Sequence, residues 1–298
     1  MEGKRVDIKT GFVCNNNCRF CVQADNKCKG NRSFEDIRGD LIDSRKRCTG
    51  VVFTGGEVTI RNDFFDLIKI AKGLDYTEIQ IQTNGRMFAS LDFCKKTIES
   101  GANVFGLALH GYCAEQHDNL TKAKYSFKQT VNGIINLRKM GQIVATNTVV
   151  VKPNYLDCSK IAQLLVKLNV NQFQFAFVHP MGAAGDNFKD VVPMMSVAAP
   201  FIHRGLDVGI GARIKCVVEA MPYCLMKGYE SYIVESRIPE TEIRGLKHQN
   251  IDDFLKQKQI YGKSKFSQCE VCNQDKFCEG PWKEYSEKMG FSEFKALK

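Results

Sequence analysis

The sequence contains no apolar run near the roughly 20 residues that a membrane-spanning helix needs, which excludes an ordinary helical membrane protein. Its opening residues, Met1-Glu2-Gly3-Lys4-Arg5, carry charge but lead into no secretory apolar stretch, so the expected location is the cytoplasm, with no membrane partner. Basic residues outnumber acidic ones, 42 to 33, for a formal charge of +9, yet they lack a concentrated patch and form only short clusters such as Arg45-Lys46-Arg47. Without such a patch or an RNA-binding motif, the charge reads as a solvated surface mildly attractive to anions. Internal repeats and long low-complexity segments are absent, which excludes repeat arrays. At 298 residues the chain can hold one large domain with an appendage, or two modest domains.

Cysteine is present in excess. Thirteen of them, an odd count in a chain read as intracellular, argue against a disulfide framework and for metal ligation. Cys14, Cys18 and Cys21 lie near the start, and Cys269, Cys272 and Cys278 near the end. Cys28, Cys48, Cys94, Cys113 and Cys158 are isolated and read as small buried fillers rather than ligands.

The first two-thirds of the chain alternates short apolar runs with longer amphipathic ones, the pattern of repeated βα units. Strands are expected at Val6–Phe12, Gly50–Phe53, Glu78–Thr83, Asn103–Leu109, Val144–Val150 and Gln172–Val178. Helical spacing marks Phe64–Lys72, Leu91–Glu99, Phe127–Met140 and Cys158–Leu168, with Gly73, Gly101 and Gly141 where helices should stop. Six such units in one direction imply an α/β fold with a parallel sheet, open or closed fully or partly into a barrel. Its chemistry should gather at the carboxyl ends of the strands. After about residue 205 the rhythm breaks and Ser231–Lys265 is polar, so a domain change is expected between Val192 and Val208, dividing the chain into 1–200 and 201–298.

Cys14-Asn15-Asn16-Asn17-Cys18-Arg19-Phe20-Cys21 follows the first expected strand directly. Three thiolates on a cubane of four irons leave one iron without a protein donor, as a catalytic site requires. No fourth cysteine stands at ferredoxin-like spacing. On spacing alone the alternative is a zinc knuckle, with Cys28 or a distant residue as fourth ligand. The second strand ends in Thr54-Gly55-Gly56-Glu57, where two glycines let backbone approach a ligand and a carboxylate could receive an ammonium group. Gly-Gly-Glu alone marks only a turn; one βα unit after the cysteine loop it says more.

The cysteine segment resembles the CxxxCxΦC signature of radical S-adenosylmethionine (SAM) enzymes, with Phe20 as the aromatic. Gly55-Gly56-Glu57 resembles the motif that holds the methionine amino group of SAM in that family. The resemblance runs on through Thr83-Asn84-Gly85, Leu107–Gly111, His117–Thr121, Ser126-Phe127, Gly133, Asn147 and Phe177–Ala183, over roughly residues 5–190. It implies a partial (β/α)6 TIM-like barrel with a small Cys-rich C-terminal domain. It further implies a [4Fe-4S] cluster on Cys14, Cys18 and Cys21, and SAM contacts from Gly55, Gly56, Glu57, Thr83, Asn84, His110, Asn147 and Phe177. Many relatives carry Ser and Asp where this chain has Ala108 and His110, and Arg near Thr121, so contacts to the SAM carboxylate and ribose must differ here. His110 reads equally as a SAM or substrate contact, a proton donor, or a structural histidine.

Cys269-Glu270-Val271-Cys272 and Cys278 form a second metal spacing, fit for zinc or a cubane with a distant fourth ligand. It resembles the core of the SPASM and Twitch extensions of radical SAM enzymes. The full SPASM pattern has a further cysteine where this chain has Trp282, which implies one auxiliary [4Fe-4S] cluster rather than two. The fourth ligand is expected to be Cys224, in Pro222-Tyr223-Cys224, with Cys216 as the alternative. Trp282 and Tyr285 read as cover over the cluster.

The activity implied is hydrogen abstraction from a peptide or small-molecule substrate by a 5′-deoxyadenosyl radical, with an electron donor such as flavodoxin or ferredoxin. RNA modification is a second reading, favoured by charge and weakened by the missing motif. A non-catalytic iron–sulfur or zinc module is a third, and a barrel with Gly-Gly-Glu at a strand end is more machinery than such a module needs.

Overall fold

A computed structural model describes residues 3–246 and 250–298. Met1 and Glu2 of the charged N-terminal stretch, and residues 247–249 within the polar Ser231–Lys265 segment, lie outside the described residues.

The strands are β1 (Arg5–Lys9), β2 (Gly50–Thr54), β3 (Glu78–Thr83), β4 (Val104–Ala108), β5 (Ile143–Val150), β6 (Gln172–Phe177), β7 (Lys215–Glu219) and β8 (Thr241–Arg244). Between and after them come helices α1 (Phe34–Arg45), α2 (Phe64–Gly73), α3 (Leu91–Ser100), α4 (Ala114–Thr121), α5 (Ser126–Lys139), α6 (Cys158–Lys167), α7 (Ala183–Asp186), α8 (Phe188–Val191), α9 (Met195–Gly211), α10 (Phe254–Gln257) and α11 (Lys283–Met289). The helices start and stop on local signals. Ser33 and Ser90 cap α1 and α3 by accepting from Asp36 N and Phe93 N, and Gly101, at φ 127°, ends α3.

All strand pairs are parallel, in the order β7-β6-β5-β4-β3-β2-β1-β8. Among the described residues β7 and β8 are therefore edges, and the α/β sheet forms a partial TIM-like barrel. Parallel strands put every carboxyl end on one face of the sheet, where the cysteine loop also lies.

The six expected strands are present. β1 stops at Lys9, short of Phe12, because Phe12 N turns away to donate to Gly30 O at 2.9 Å. β7 and β8 come from the part of the chain where no strand is expected, and extend the sheet at both edges. β8 has no apolar alternation to announce it. Its Glu242 is buried, and Lys4 (3.0 Å), Arg47 (2.9 Å) and Arg244 (2.6 Å) pair with it. Residue 200 falls inside α9.

β3, β5 and β6 alternate strictly between buried and part-exposed residues. The buried set, with Ile81, Val144, Phe173 and Phe175, joins the core. The other set, with Gln80, Gln82, Asn147 and Gln174, lines the concave side. An added Cβ on Gly106 of β4 would lie 2.2 Å from Gln82 Oε1, so these amides lie flat across the inner wall.

Candidate active site

The loop carrying Cys14, Cys18 and Cys21 is held from three sides. Asn17 N and Arg19 N donate to Thr121 O and Leu120 O at the end of α4, both at 2.9 Å. Ala183 N, at the start of α7, donates to Cys21 O at 3.0 Å. The three asparagines between the cysteines are anchored by side chains. Asn84 Nδ2 donates to Asn15 Oδ1 (2.6 Å), Arg86 Nη1 to Asn15 O (2.6 Å) and Asn16 Oδ1 (2.9 Å), and Lys27 Nζ to Asn17 Oδ1 (2.6 Å). Backbone that makes no regular structure is thereby fixed in one shape, as a ligand loop requires.

Burial, reinforced by Cys21 and Cys14, pushes the Cys18 thiol up to about 12. Burial also raises Cys14, with Glu57 and Cys21 adding to the effect. Thiols that raise one another lie close together, and such a set ionises readily only around a cation. Among the described residues no three His, Cys, Asp or Glu side chains converge tightly enough for a single ion.

The glycines of the second motif pack against the start of the cysteine loop. A Cβ on Gly55 (φ 131°) would lie 2.2 Å from Gly11 O, and one on Gly56 would lie 2.3 Å from Val13 O. The backbone they admit is the lead-in to Cys14. Gly56 N and Glu57 N donate to Gly11 O (2.7 Å) and Val13 O (2.9 Å), locking the two motifs together. The Glu57 carboxylate is buried and already engaged. Oε1 accepts from Thr59 N (3.2 Å), Thr59 Oγ1 (2.6 Å) and Thr83 Oγ1 (2.6 Å), and Oε2 from Asn84 N (2.7 Å). Through these bonds the carboxylate fastens the end of β2 to β3. Thr83 and Asn84 are brought to the same place, bound to Glu57 and to the cysteine loop.

His110 is buried, and burial with His117 beside it depresses its pKa to about 3, so the ring is neutral. Its Nδ1 accepts from Val149 N at 3.2 Å, and its ring meets Phe20 edge-on at 4.8 Å between centroids. Asn147 faces the concave wall with Oδ1 buried and unpartnered. Phe177 is buried against Tyr285 of α11 at 5.6 Å between centroids. Sequence reasoning missed Arg86 and Lys27, which clamp the loop. Arg86 directly follows Thr83-Asn84-Gly85, the one signal that could have marked it.

Cys224, Cys269, Cys272 and Cys278 line a single pocket with Pro222, Phe266 and Phe294. Burial, then the nearby thiols of Cys278, Cys269 and Cys272, push Cys224 up to about 11. Cys216 lies elsewhere, buried on β7 with its Sγ directed at Leu206 O of α9. Trp282 does not line the pocket. It stacks on His179 just beyond β6, at 3.8 Å and 7°, and so ties the cysteine-rich segment to the barrel mouth. Cys48, Cys94 and Cys158 are buried, Cys113 is half-buried, and Cys28 is exposed.

A partial parallel barrel with a three-thiol loop after β1 defines a class of iron–sulfur enzyme. The model of the radical SAM superfamily matches residues 8–165, more than half of the chain, and the protein belongs to that superfamily. Membership implies a [4Fe-4S] cluster and SAM. A probable GTP 3',8-cyclase of Saccharolobus solfataricus is 28% identical over 193 residues, covering 64% of this chain and 61% of that protein. A 7,8-dihydro-6-hydroxymethylpterin dimethyltransferase of Methanocaldococcus jannaschii is 34% identical over 103 residues, covering 33% of this chain and 20% of that protein. The chain thus spans less than two-thirds of these curated relatives. Among solved structures, Streptococcus suis SuiB bound to precursor peptide SuiA superposes with a TM-score of 0.69 at 15% identity, over 99% of this chain and 75% of that one. AnSMEcpe with bound AdoMet and Cp18Cys peptide gives 0.63 at 16% identity, over 98% and 92%. At these identities the structural likeness speaks to fold alone. Among the described residues no helix is long and apolar enough to cross a membrane.

Proposed function

We propose that this radical SAM enzyme acts on a peptide or small-molecule substrate and carries one auxiliary [4Fe-4S] cluster in its C-terminal part. The observation that supports it is the three-thiol loop clamped onto Gly55 and Gly56. Cys14, Cys18 and Cys21 would hold the first cluster and leave one iron open. With SAM bound, the chemistry supplied there would be one-electron cleavage of the sulfonium, leading to hydrogen abstraction from the substrate.

The chain's own residues position and protect. Since Glu57 is engaged by four protein donors, the ammonium of SAM would be taken by backbone carbonyls of the Gly55-Gly56 segment, which Glu57 and Thr83 hold rigid. Asn147 offers an unpartnered amide oxygen on the inner wall for the nucleoside or substrate. His110, neutral and held through Nδ1, supports Phe20 of the loop rather than exchanging protons. Residues 1–200 form the SAM-binding core in this reading and 201–298 the auxiliary unit, which lends β7 and β8 back to the sheet. Cys224, Cys269, Cys272 and Cys278 would close the auxiliary cluster with four thiolates, favouring electron transfer over substrate ligation. An external one-electron donor such as flavodoxin or ferredoxin is required.

Protein reconstituted anaerobically with iron and sulfide should be brown, and after dithionite reduction should release 5′-deoxyadenosine and methionine from SAM. Cys272→Ala should lose about four irons per chain yet keep part of this cleavage. A colourless protein holding stoichiometric zinc would contradict the reading, and unchanged iron in Cys272→Ala would remove the auxiliary cluster.

A further inference from the structure

Of eight buried side-chain polar atoms without a hydrogen-bond partner among the described residues, five belong to Glu235, Lys258, Lys263, Glu279 and Trp282. They form one cluster. Lys258 Nζ and Glu279 Oε2 form an ion pair at 2.9 Å, and Lys263 Nζ stands 3.9 Å from the same oxygen. Lys263 Nζ also lies 3.8 Å from the centre of the Trp282 ring. Glu235 accepts from Ala220 N through Oε1 at 2.6 Å, and its Oε2 is free. Glu219, the last residue of β7, completes the group and accepts from Gln174 Nε2 of the inner wall at 2.5 Å. Lys258, Lys263 and Glu235 are only 5%, 7% and 9% exposed.

Buried ions are expensive unless paired and hydrogen-bonded, and an interface that only joins two parts of a fold satisfies its polar atoms. Here the unmet needs are complementary. The Lys263 ammonium and an indole N–H lack acceptors, while Glu235 Oε2 lacks a donor; Lys258 is held by its ion pair with Glu279. Burial lifts Glu235 to about 7 and lowers Lys263. The cluster lies at the carboxyl ends of β6 and β7, on the face that carries the Cys14 loop, beside His179 and the inner-wall Gln174. A polyphosphate would meet three carboxylates, Glu219, Glu235 and Glu279. A ligand bearing one negative and one positive group meets both halves of the site.

We infer that this cluster receives the carboxylate and ammonium groups of an α-amino-acid substrate, the carboxylate at Lys258, Lys263 and Trp282 Nε1 and the ammonium at Glu235. The assignment rests on the proposed function and narrows its substrate class to small molecules with a free amino-acid end.

The test is calorimetry on the reconstituted protein saturated with SAM, using L-alanine, L-lysine and L-glutamate singly, with N-acetyl-L-alanine amide and GTP as controls. At least one free amino acid should bind and the blocked compound should not. Lys263→Met and Glu235→Gln should each weaken binding about tenfold or more, and Lys263→Arg should restore most of it. Folding of each variant is checked by thermal denaturation, and Glu235→Gln carries the test where Lys263→Met fails to fold. Binding by none of the amino acids, equal binding of the blocked compound, binding of GTP alone, or unaltered affinity in Glu235→Gln would each overturn the assignment. Binding is read without turnover, so failure of SAM cleavage would count against the proposed function and leave this result standing.

Discussion

Glu235 carries a carboxylate into a nearly water-free position with one oxygen bonded and the other bare. Burial first, with Glu219 adding to it and Lys263 and Lys258 opposing, raises it from 4.5 to about 7. The folded protein therefore keeps a proton that the unfolded chain releases above pH 4.5. Stability should fall as pH rises from about 4.5 to about 7 and be level beyond, and for a gap of that size the loss is on the order of 3 kcal/mol. Denaturant titrations across this window should show Glu235→Gln with a shallower slope than the parent; equal slopes would mean that Glu235 titrates normally in the fold. Gly55 and Gly56 illustrate a different economy at the same scale. Their value lies in lacking a Cβ where the lead-in to Cys14 presses on them, so the cluster loop and the Gly-Gly-Glu turn cannot shift independently.

Between elements, aromatic side chains join the cysteine-rich segment to the barrel. Trp282 is sandwiched between the His179 ring and Lys263 Nζ, and Tyr285 of α11 packs on Phe177 and donates from its hydroxyl to Glu293 while accepting from Met195 N. Trp282→Ala should cost about 3–5 kcal/mol by emptying a packed site. Hydrogen exchange should then speed up in residues 258–285 and leave β1–β5 protected. Loss of protection throughout the sheet would instead mean that the segment is integral to the barrel core. The strands that the sequence made legible are those with an apolar face: Ile79, Ile81 and Thr83 in β3, or Phe173, Phe175 and Phe177 in β6, alternate with amides. β8 was not legible because three basic side chains, not apolar packing, hold its buried Glu242 in place. β7 was obscured because it follows α9, after the βα rhythm appears to end, and its Val217 and Val218 are both buried.

At the scale of the molecule, two cysteine sites sit on one parallel frame. The first was legible because its ligands are close in sequence and a Gly-Gly-Glu turn follows at the next strand. The second was legible only in part, since Cys224 joins Cys269, Cys272 and Cys278 through folding, and spacing could not separate it from Cys216. The buried charges between barrel and extension gave no sequence signal, because lysine and glutamate in a polar stretch read as surface. The most direct measurement of the central claim isolates the first site in a Cys224→Ala/Cys272→Ala background, and records the electron paramagnetic resonance of the dithionite-reduced protein with and without SAM. An iron left open by Cys14, Cys18 and Cys21 predicts a cluster signal that shifts when SAM is added and disappears when those three cysteines are replaced by Ala. A signal that SAM leaves unchanged would contradict the account.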